Sequence, residues 1–223
     1  MSLLIPNHHP INRDGLVLWL DYKNTGSVAA TGTWKDYSGA GNDGTLAGTG
    51  GVDNGGLQCD GATRCQVGTA INPTTAFTVS LSFSTAEIAS TNAQLFAKYD
   101  GTSGANDSYF IRKNGNTIQF YLRSADGSSW KSANAPSAVS INTRYQLDCV
   151  FDGSQMVVYL NGNPGTPTAK TDAIRANPTE QTYIASTNLM ALHFSGRIGN
   201  VMVFYRALSA GEIQANYQRT LRA

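Results

Sequence analysis

The stretch FSGRIGNVMVFYRALSAGEIQANY at residues 194–217 combines one long strand with one short helix. From Ile198 to Tyr205 it is dense in β-branched and aromatic residues, which is typical of a strand buried on at least one face. Ser209 and Glu212 have the spacing of a capping box, in which each side chain bonds to the other residue's backbone N–H. Because so short a helix is unstable alone, the pattern predicts a helix docked on a sheet.

The composition favours a single all-β domain. The chain has 223 residues, of which 14% are charged and 23 are glycine, and such a length fits one sandwich or barrel. The net charge is +1 and no basic run occurs, which argues against a nucleic-acid partner. No apolar run approaches the roughly 18 residues of a membrane span. Since the first residues lack a basic, apolar leader, we expect the chain to remain where it is made until it is released.

Short strands recur along the chain between turn signals. The Asn114-Gly115-Asn116 segment is a strong hairpin signal, and no helical pattern interrupts the strands. In residues 77–84 apolar and hydroxyl side chains alternate, so we expect one face in the core and the other to be a flat polar surface. These patterns predict a two-sheet antiparallel sandwich with strands at 16–21, 77–84, 95–99, 108–112, 117–123, 145–151, 156–160 and 197–205.

The first residues and the cysteines raise two structural questions. Residues 1–15 contain two prolines and are predicted to form an extended arm ahead of one domain at 16–223. Such an arm is a natural contact for a second copy of the chain, so we expect a homo-oligomer joined through it. Cys149 lies in phase with inward-facing neighbours and is expected in the core. Cys59 and Cys65 flank a turn, and the sequence does not decide whether a disulfide joins them.

Both ends of the chain resemble one family. The opening residues are Leu16, Val17, Leu18, Leu20 and Asp21, followed by Trp34, Asp36, Ser38, Gly39, Gly41, Asn42, Asp43, Gly44, Thr45 and Leu46. The closing residues are Gly196, Ile198, Val201, Val203, Tyr205, Arg206, Ala207, Leu208, Ser209, Glu212, Ile213 and Tyr217. Together they resemble laminin-G-like, concanavalin-A-like jelly-roll domains, in the version found in tailed-phage virion proteins. The resemblance covers about residues 14–218 and implies a jelly roll closed by a short helix.

Catalytic chemistry is not indicated by the carboxylates. A retaining glycosidase needs two carboxyl groups about 5–5.5 Å apart. The chain has three glutamates, Glu87, Glu180 and Glu212, and none has an acidic partner at strand spacing. We therefore predict no catalytic residues and a protein that is not an enzyme.

Ligand binding is the remaining expectation. Relatives of the family hold glycans or proteins on loops and on one sheet, with aromatic rings stacking on sugars and Asn or Asp fixing hydroxyl groups. The candidates here are Trp130, which lies in a Ser/Gly-rich loop, and Tyr99 together with Asn106, Asp107 and Tyr109.

The sequence predicts no cofactor, and calcium is the one candidate that it leaves open. Asp36, Asp43 and Asp60 lie in glycine-rich turns and could converge with backbone carbonyls, the oxygen ligands that calcium prefers.

The resemblance gives two functional hypotheses. The first is a non-catalytic virion protein of a tailed phage, bound to capsid or tail proteins and acting by adhesion, with host surface glycans as further candidate partners. The alternative is a bacterial carbohydrate-binding module that is secreted or held at the cell surface.

Overall fold

A computed structural model of the protein describes residues 11–25, 28–100, 107–187 and 192–221. Within these ranges the chain forms mostly strands, with helices of 4 and 12 residues. In chain order the elements are β1 (Leu16–Leu20), α1 (Tyr22–Thr25), β2 (Thr33–Trp34), β3 (Gly44–Ala47), β4 (Val52–Asp53), β5 (Gly56–Asp60), β6 (Arg64–Gly68), β7 (Phe77–Thr85), β8 (Ala93–Lys98), β9 (Tyr109–Asn114), β10 (Thr117–Arg123), β11 (Trp130–Asn134), β12 (Arg144–Phe151), β13 (Gln155–Leu160), β14 (Asn163–Pro164), β15 (Thr168–Ala169), β16 (Thr182–Ile184), β17 (Ser195–Phe204) and α2 (Ala210–Leu221).

These strands build two antiparallel sheets, as predicted. The nine-stranded sheet runs β14-β13-β12-β7-β17-β5-β4, with β1 beside β17 and β15 beside β13. The eight-stranded sheet runs β11-β10-β9-β8-β16-β6-β3-β2. Inward residues of both sheets fill one core, and its largest fully buried rings include Trp34, Phe77, Phe83, Phe96 and Phe120. The all-β sandwich with a C-terminal helix is therefore confirmed.

The closing strand and its helix lie where the sequence predicts them. β17 pairs with β7 along most of its length and with β1 and β5 on its other side. The Ser209 backbone N–H donates to Glu212 Oε2 at 2.9 Å, and the Glu212 N–H donates to Ser209 Oγ at 3.3 Å, which confirms the capping box. Leu208 and Ile213 are buried together beneath α2. The helix is thus held on the nine-stranded sheet by an apolar contact.

The hydroxyl face of β7 is not the open polar surface that its alternation predicts. Thr78, Ser80 and Ser82 are at most 2% exposed. Thr78 Oγ1 donates to the carbonyl of Arg206 at 2.9 Å and accepts from the N–H of Leu208 at 3.0 Å. The segment that leads into α2 therefore crosses this face. The prediction was wrong because strand periodicity does not reveal which element covers the polar face.

The part of the predicted arm that the structure describes, residues 11–15, lies on its own domain. Ile11 packs against the apolar cluster beneath α2, and Asn12 Nδ2 donates to Glu212 Oε1 at 2.9 Å. The first ten residues lie outside the described ranges. Contact with a second copy through the arm stays a prediction.

The three cysteines are buried free thiols. Cys149 lies in the core, as predicted. Cys59 belongs to β5 of one sheet and Cys65 to β6 of the other, and no disulfide joins them. Burial raises the pKa of each of these two thiols above its ordinary value.

Among the described residues, no helix has the length and apolar character required to cross a bilayer.

Candidate functional site

The outer face of the eight-stranded sheet carries a group of aromatic side chains. Ile111 and Phe120 are fully buried in the core, so the alternation of β9 and β10 turns Phe110 and Tyr121 to the opposite face. Phe110 and Tyr121 are direct cross-strand partners. The two-residue turn that joins these strands, with Gly115 at φ +61°, fixes that register.

Four rings contact one another on this face. Phe110 stacks on Tyr121 with ring centroids 4.5 Å apart, and it meets Trp130 at 5.0 Å and Tyr99 at 4.9 Å. Trp130, Tyr121 and Tyr99 are half-buried, while Phe110 beneath them is 7% exposed. We call Tyr99, Phe110, Tyr121 and Trp130 the aromatic face. It presents contiguous ring surface whose negative quadrupole attracts polarised C–H groups.

Trp130 is fixed by its cross-strand neighbour. It begins the edge strand β11 opposite Arg123, whose guanidinium carbon lies 5.3 Å from the centre of the Trp130 ring. Arg123 donates through Nε and Nη2 to the carbonyl of Gly127, at 3.0 and 2.8 Å. The turn before β11 thus holds the arginine that supports the tryptophan.

A line of polar side chains runs beside the rings. Arg112 donates to Asn92 Oδ1, to Gln119 Oε1 at 2.8 Å and to the Tyr121 hydroxyl at 2.9 Å. Gln119 Nε2 in turn donates to Asn134 Oδ1 at 3.1 Å. We call Asn92, Arg112, Gln119 and Asn134 the polar row. Because these groups are held by one another, their remaining donors and acceptors have fixed directions on the surface.

Asp107 was predicted to contact a ligand, but its side chain is fully buried and does not project from this face. Its carboxylate pairs with Arg123 at 3.1 Å and accepts the Asp100 N–H at 3.1 Å. Burial, with a contribution from the neighbouring Asp100, raises the pKa of the Asp107 carboxyl to about 6. Asp107 therefore orients Arg123, and through it Trp130, instead of contacting a ligand directly.

Two further predicted ligand contacts do not join the site. Tyr109 is fully buried, and its hydroxyl lies 3.0 Å from both the Ile71 carbonyl and Thr182 Oγ1. Its ring packs in the core between Phe77 and Phe96, at 5.5 and 5.8 Å, so it cannot stack on a ligand. Asn106 lies outside the described residues.

The three aspartates predicted for calcium are not brought together. Asp36 accepts the N–H groups of Trp19 and Asn42, and Asp43 accepts the N–H of Asp36 and pairs with Lys35 at 2.7 Å. Asp60 instead accepts the hydroxyl of Thr63 from its own turn and the hydroxyl of Thr49 from the turn that follows β3. In the described part of the chain, no three acidic, histidine or cysteine side chains form a group that could hold a metal. The carboxylates of these three aspartates therefore stabilise turns through hydrogen bonds.

The glutamates are each engaged in structural contacts. Glu87 pairs with the buried Lys113 at 3.1 Å, and hydrogen bonds from Ser90 and Lys113 outweigh partial burial to hold the pKa of Glu87 at about 2. Glu212 pairs with Arg206 at 2.6 Å as well as capping α2. Glu180 is buried and accepts the N–H of Gln181 at 3.2 Å.

The sequence interpretation missed Phe110, Tyr121 and Arg112. The signal was present in the alternation of β10, where Ile118, Phe120 and Leu122 are apolar and the residues between them are Gln119, Tyr121 and Arg123. Reading that alternation across the predicted hairpin places Tyr121 beside Phe110. Because residues 109 and 110 are both aromatic, the sequence did not show which of them faces the core.

Comparison with solved structures finds the same fold in several proteins of low sequence identity. Domain 4 of the extracellular GH43 arabinanase AbnA from Geobacillus stearothermophilus, solved with arabinotriose, matches with a TM-score of 0.71 at 15% identity, over 91% of this chain and 98% of that one. The botulinum neurotoxin serotype D ligand-binding domain, solved with N-acetylneuraminic acid, matches with a TM-score of 0.65 at 12% identity, over 94% and 52%. The Trypanosoma rangeli sialidase matches with a TM-score of 0.66 at 16% identity, over 92% and 33%.

At these identities the likeness establishes the fold alone. The chain spans about half of the neurotoxin domain and a third of the sialidase. The sequence has no match among curated proteins. A laminin G-type family profile, however, matches residues 59–214, which is more than half of the chain. The chain therefore belongs to the concanavalin A-like lectin/glucanases superfamily.

Proposed function

We propose that this protein is a non-catalytic carbohydrate-binding module that holds a glycan on the aromatic face and the polar row. The observation that carries the proposal is the pairing of these two features on one sheet surface, where Tyr99, Tyr121 and Trp130 are half-buried. Pyranose rings present apolar C–H faces and polar hydroxyl edges, so aromatic rings flanked by fixed amide groups match both.

The superfamily and the structural neighbours support a binding role. Two of the neighbours were solved with a saccharide bound, arabinotriose in one and N-acetylneuraminic acid in the other. Each of the three glutamates is held by a helix cap, an ion pair or a backbone N–H, which supports binding over hydrolysis, since a glycosidase needs two available carboxyl groups. The tailed-phage virion role stays a prediction. None of the neighbours named above is a phage protein, and a secreted or cell-surface module is the setting we favour.

A glycan array with purified protein tests the proposal, followed by calorimetry on each hit. Trp130→Ala removes the largest ring of the face, and we expect roughly a ten- to thirtyfold loss of affinity, the effect of removing a binding hot spot. Trp19→Ala is the matched control. Trp19 lies on the opposite sheet with a similar environment, 6.1 Å from the Tyr37 ring and 5.2 Å from the Arg13 guanidinium carbon.

The control variant should bind as the wild type does. Reproducible hits that survive Trp130→Ala, or an array without hits, would refute the proposed site. Turnover of any bound oligosaccharide would refute the non-catalytic part of the proposal.

A further inference from the structure

The charge on the proposed glycan site points to a narrower class of ligand. We infer that the site selects acidic glycans and that Arg112 binds the carboxylate of a uronic or sialic acid residue. This inference rests on the proposed function, because it names the substrate class of the same site.

Arg112 is a fixed cation without an acidic partner. A guanidinium has five N–H donors, and the partners of Arg112 are the neutral side chains of Asn92, Gln119 and Tyr121. Among the described residues, no carboxylate lies within ion-pairing distance of it. Its guanidinium carbon lies 4.7 Å from the centre of the Tyr121 ring, so the group is oriented against the aromatic face. The N–H groups that remain are preorganised for a planar, bidentate anion.

The rest of this surface reinforces that charge. The outward positions of β9, β10 and β11, strands described in full, include Arg112 and Arg123 and contain no aspartate or glutamate. Asp107 balances the charge of Arg123 from beneath, whereas no carboxylate in the described ranges does so for Arg112. Because the whole chain carries a net charge of only +1, this positive charge is a local property of the site. Charge complementarity therefore favours an acidic ligand over a neutral one.

A purely structural role for Arg112 predicts a different outcome. If the guanidinium only holds the Tyr121 ring in place, its removal should lower the affinity for neutral and acidic ligands equally, because the ring is disturbed in both cases. If it binds a carboxylate, its removal should weaken acidic ligands alone. The ratio of the two affinities separates these roles without reference to the absolute affinity.

Calorimetry with paired ligands makes the test. The probes are 3′-sialyllactose with lactose, and trigalacturonate with its methyl ester, so that each acid has a neutral counterpart. We expect at least one acid to bind the wild type tenfold or more tightly than its counterpart, with the advantage reduced by added salt. Arg112→Gln should bring the two affinities within twofold while the melting temperature is kept. Arg112→Lys, which keeps the charge but loses the fork, should retain only part of the preference.

Arg13→Gln is the matched control, since Arg13 stacks on Trp19 of the other sheet, and it should leave the ratio unchanged. Equal binding of acid and neutral ligand by the wild type would overturn the inference and leave the proposed function standing. A preference that persists in Arg112→Gln would assign the carboxylate to another group and overturn the role of Arg112. If no glycan binds, either in these pairs or on the array, both proposals are overturned. Both are also overturned if the protein self-associates and Trp130→Ala abolishes that self-association, because the aromatic face would then be a contact between two copies of the chain.

Discussion

Asp148 is a buried carboxyl group at the boundary between β12 and helix α2. It is fully buried and accepts hydrogen bonds from the amide groups of Asn216 and Gln146, at 3.3 and 3.4 Å. Burial raises the pKa of Asp148 to about 6, although hydrogen bonds from Ser80 and Asn216 and the charge of Arg219 act in the opposite direction. The folded protein therefore binds this proton more tightly than the unfolded chain does.

This shift makes the stability depend on pH in a defined direction. Between the unfolded pKa, about 4, and the folded pKa, about 6, the free energy of unfolding should fall as the pH rises. Above pH 6 the full cost of the buried charge is present. Asp148→Asn should remove it and raise the free energy of unfolding at pH 7.5 by about 1–3 kcal/mol. Urea denaturation from pH 4 to pH 8 measures both the gain and the slope.

Asp126→Asn provides the opposite control. Hydrogen bonds from Ser124 and Ser128 lower the pKa of the exposed Asp126 to about 2, so its contribution to stability is lost as the pH falls. A variant Asp148→Asn that is less stable than the wild type at pH 7.5 would contradict the account.

Adjacent aromatic residues show what the sequence reveals at this scale. Tyr109 was predicted to contact ligand and Phe110 was overlooked, yet the structure buries the tyrosine in the core and leaves the phenylalanine beneath the half-buried rings of the outer face. On polarity alone, Phe110 would be expected in the core and Tyr109 at the surface. The carbonyl of Ile71 and the hydroxyl of Thr182 decide the outcome by satisfying the Tyr109 hydroxyl inside the core, and both come from distant parts of the chain.

Helix α2 is the element whose stability is most open to test. Ser209→Ala removes the acceptor for the Glu212 N–H and should destabilise the protein by about 1 kcal/mol. Gly211→Ala should act in the opposite direction, by about 0.5–1 kcal/mol, because alanine is the better helix former. An added Cβ at Gly211 would meet only Ser209 Oγ, at 4.0 Å. Thermal and urea unfolding of both variants should therefore give changes of opposite sign.

The acid sensitivity of the cap follows from Glu212. Its bidentate pairing with Arg206 lowers the pKa of Glu212 to about 2, with further hydrogen bonds from Ser209 and Asn12. The stability it contributes is fully present above its unfolded pKa, about 4.5, and is lost as the pH falls toward 2.

The outcome that would contradict the prediction for α2 is equal destabilisation by Ser209→Ala and Gly211→Ala. That result would mean that α2 stabilises the protein through packing alone.

Strands and caps were predictable where local sequence decides them. β10 was predicted with its observed bounds, and the cap of α2 followed from Ser209 and Glu212. Strand β11 was not, because residues 130–134 lack both alternation of apolar residues and β-branched side chains. Its pairing with β10 supplies what local propensity does not. The aromatic face depends on this pairing, which explains why Trp130 and Tyr99 were singled out but Phe110 and Tyr121 were not.

At the scale of the whole molecule, the two outer faces of the sandwich differ. Helix α2 and Ile11 cover part of the nine-stranded sheet with a second apolar cluster that includes Met202 and Phe204. The eight-stranded sheet keeps its rings and arginines on the surface. The short strands between turn signals and the closing strand with its capped helix sufficed to predict the sandwich, but not which sheet the helix covers. That choice arises from where the closing helix docks, a tertiary contact that no single stretch of sequence encodes.

The indole N–H resonances report whether a glycan binds at the aromatic face, because the chain has only three tryptophans and they lie in three different settings. Trp130 lies on the aromatic face, Trp19 on the opposite sheet, and Trp34 in the core. In an ¹⁵N-correlation titration with a glycan found on the array, we predict that the Trp130 indole and the backbone of β9–β11 shift while the Trp19 and Trp34 indoles do not. Shifts that cluster at Trp19 and α2, or a saturated complex in which Trp130 does not move, would contradict the account.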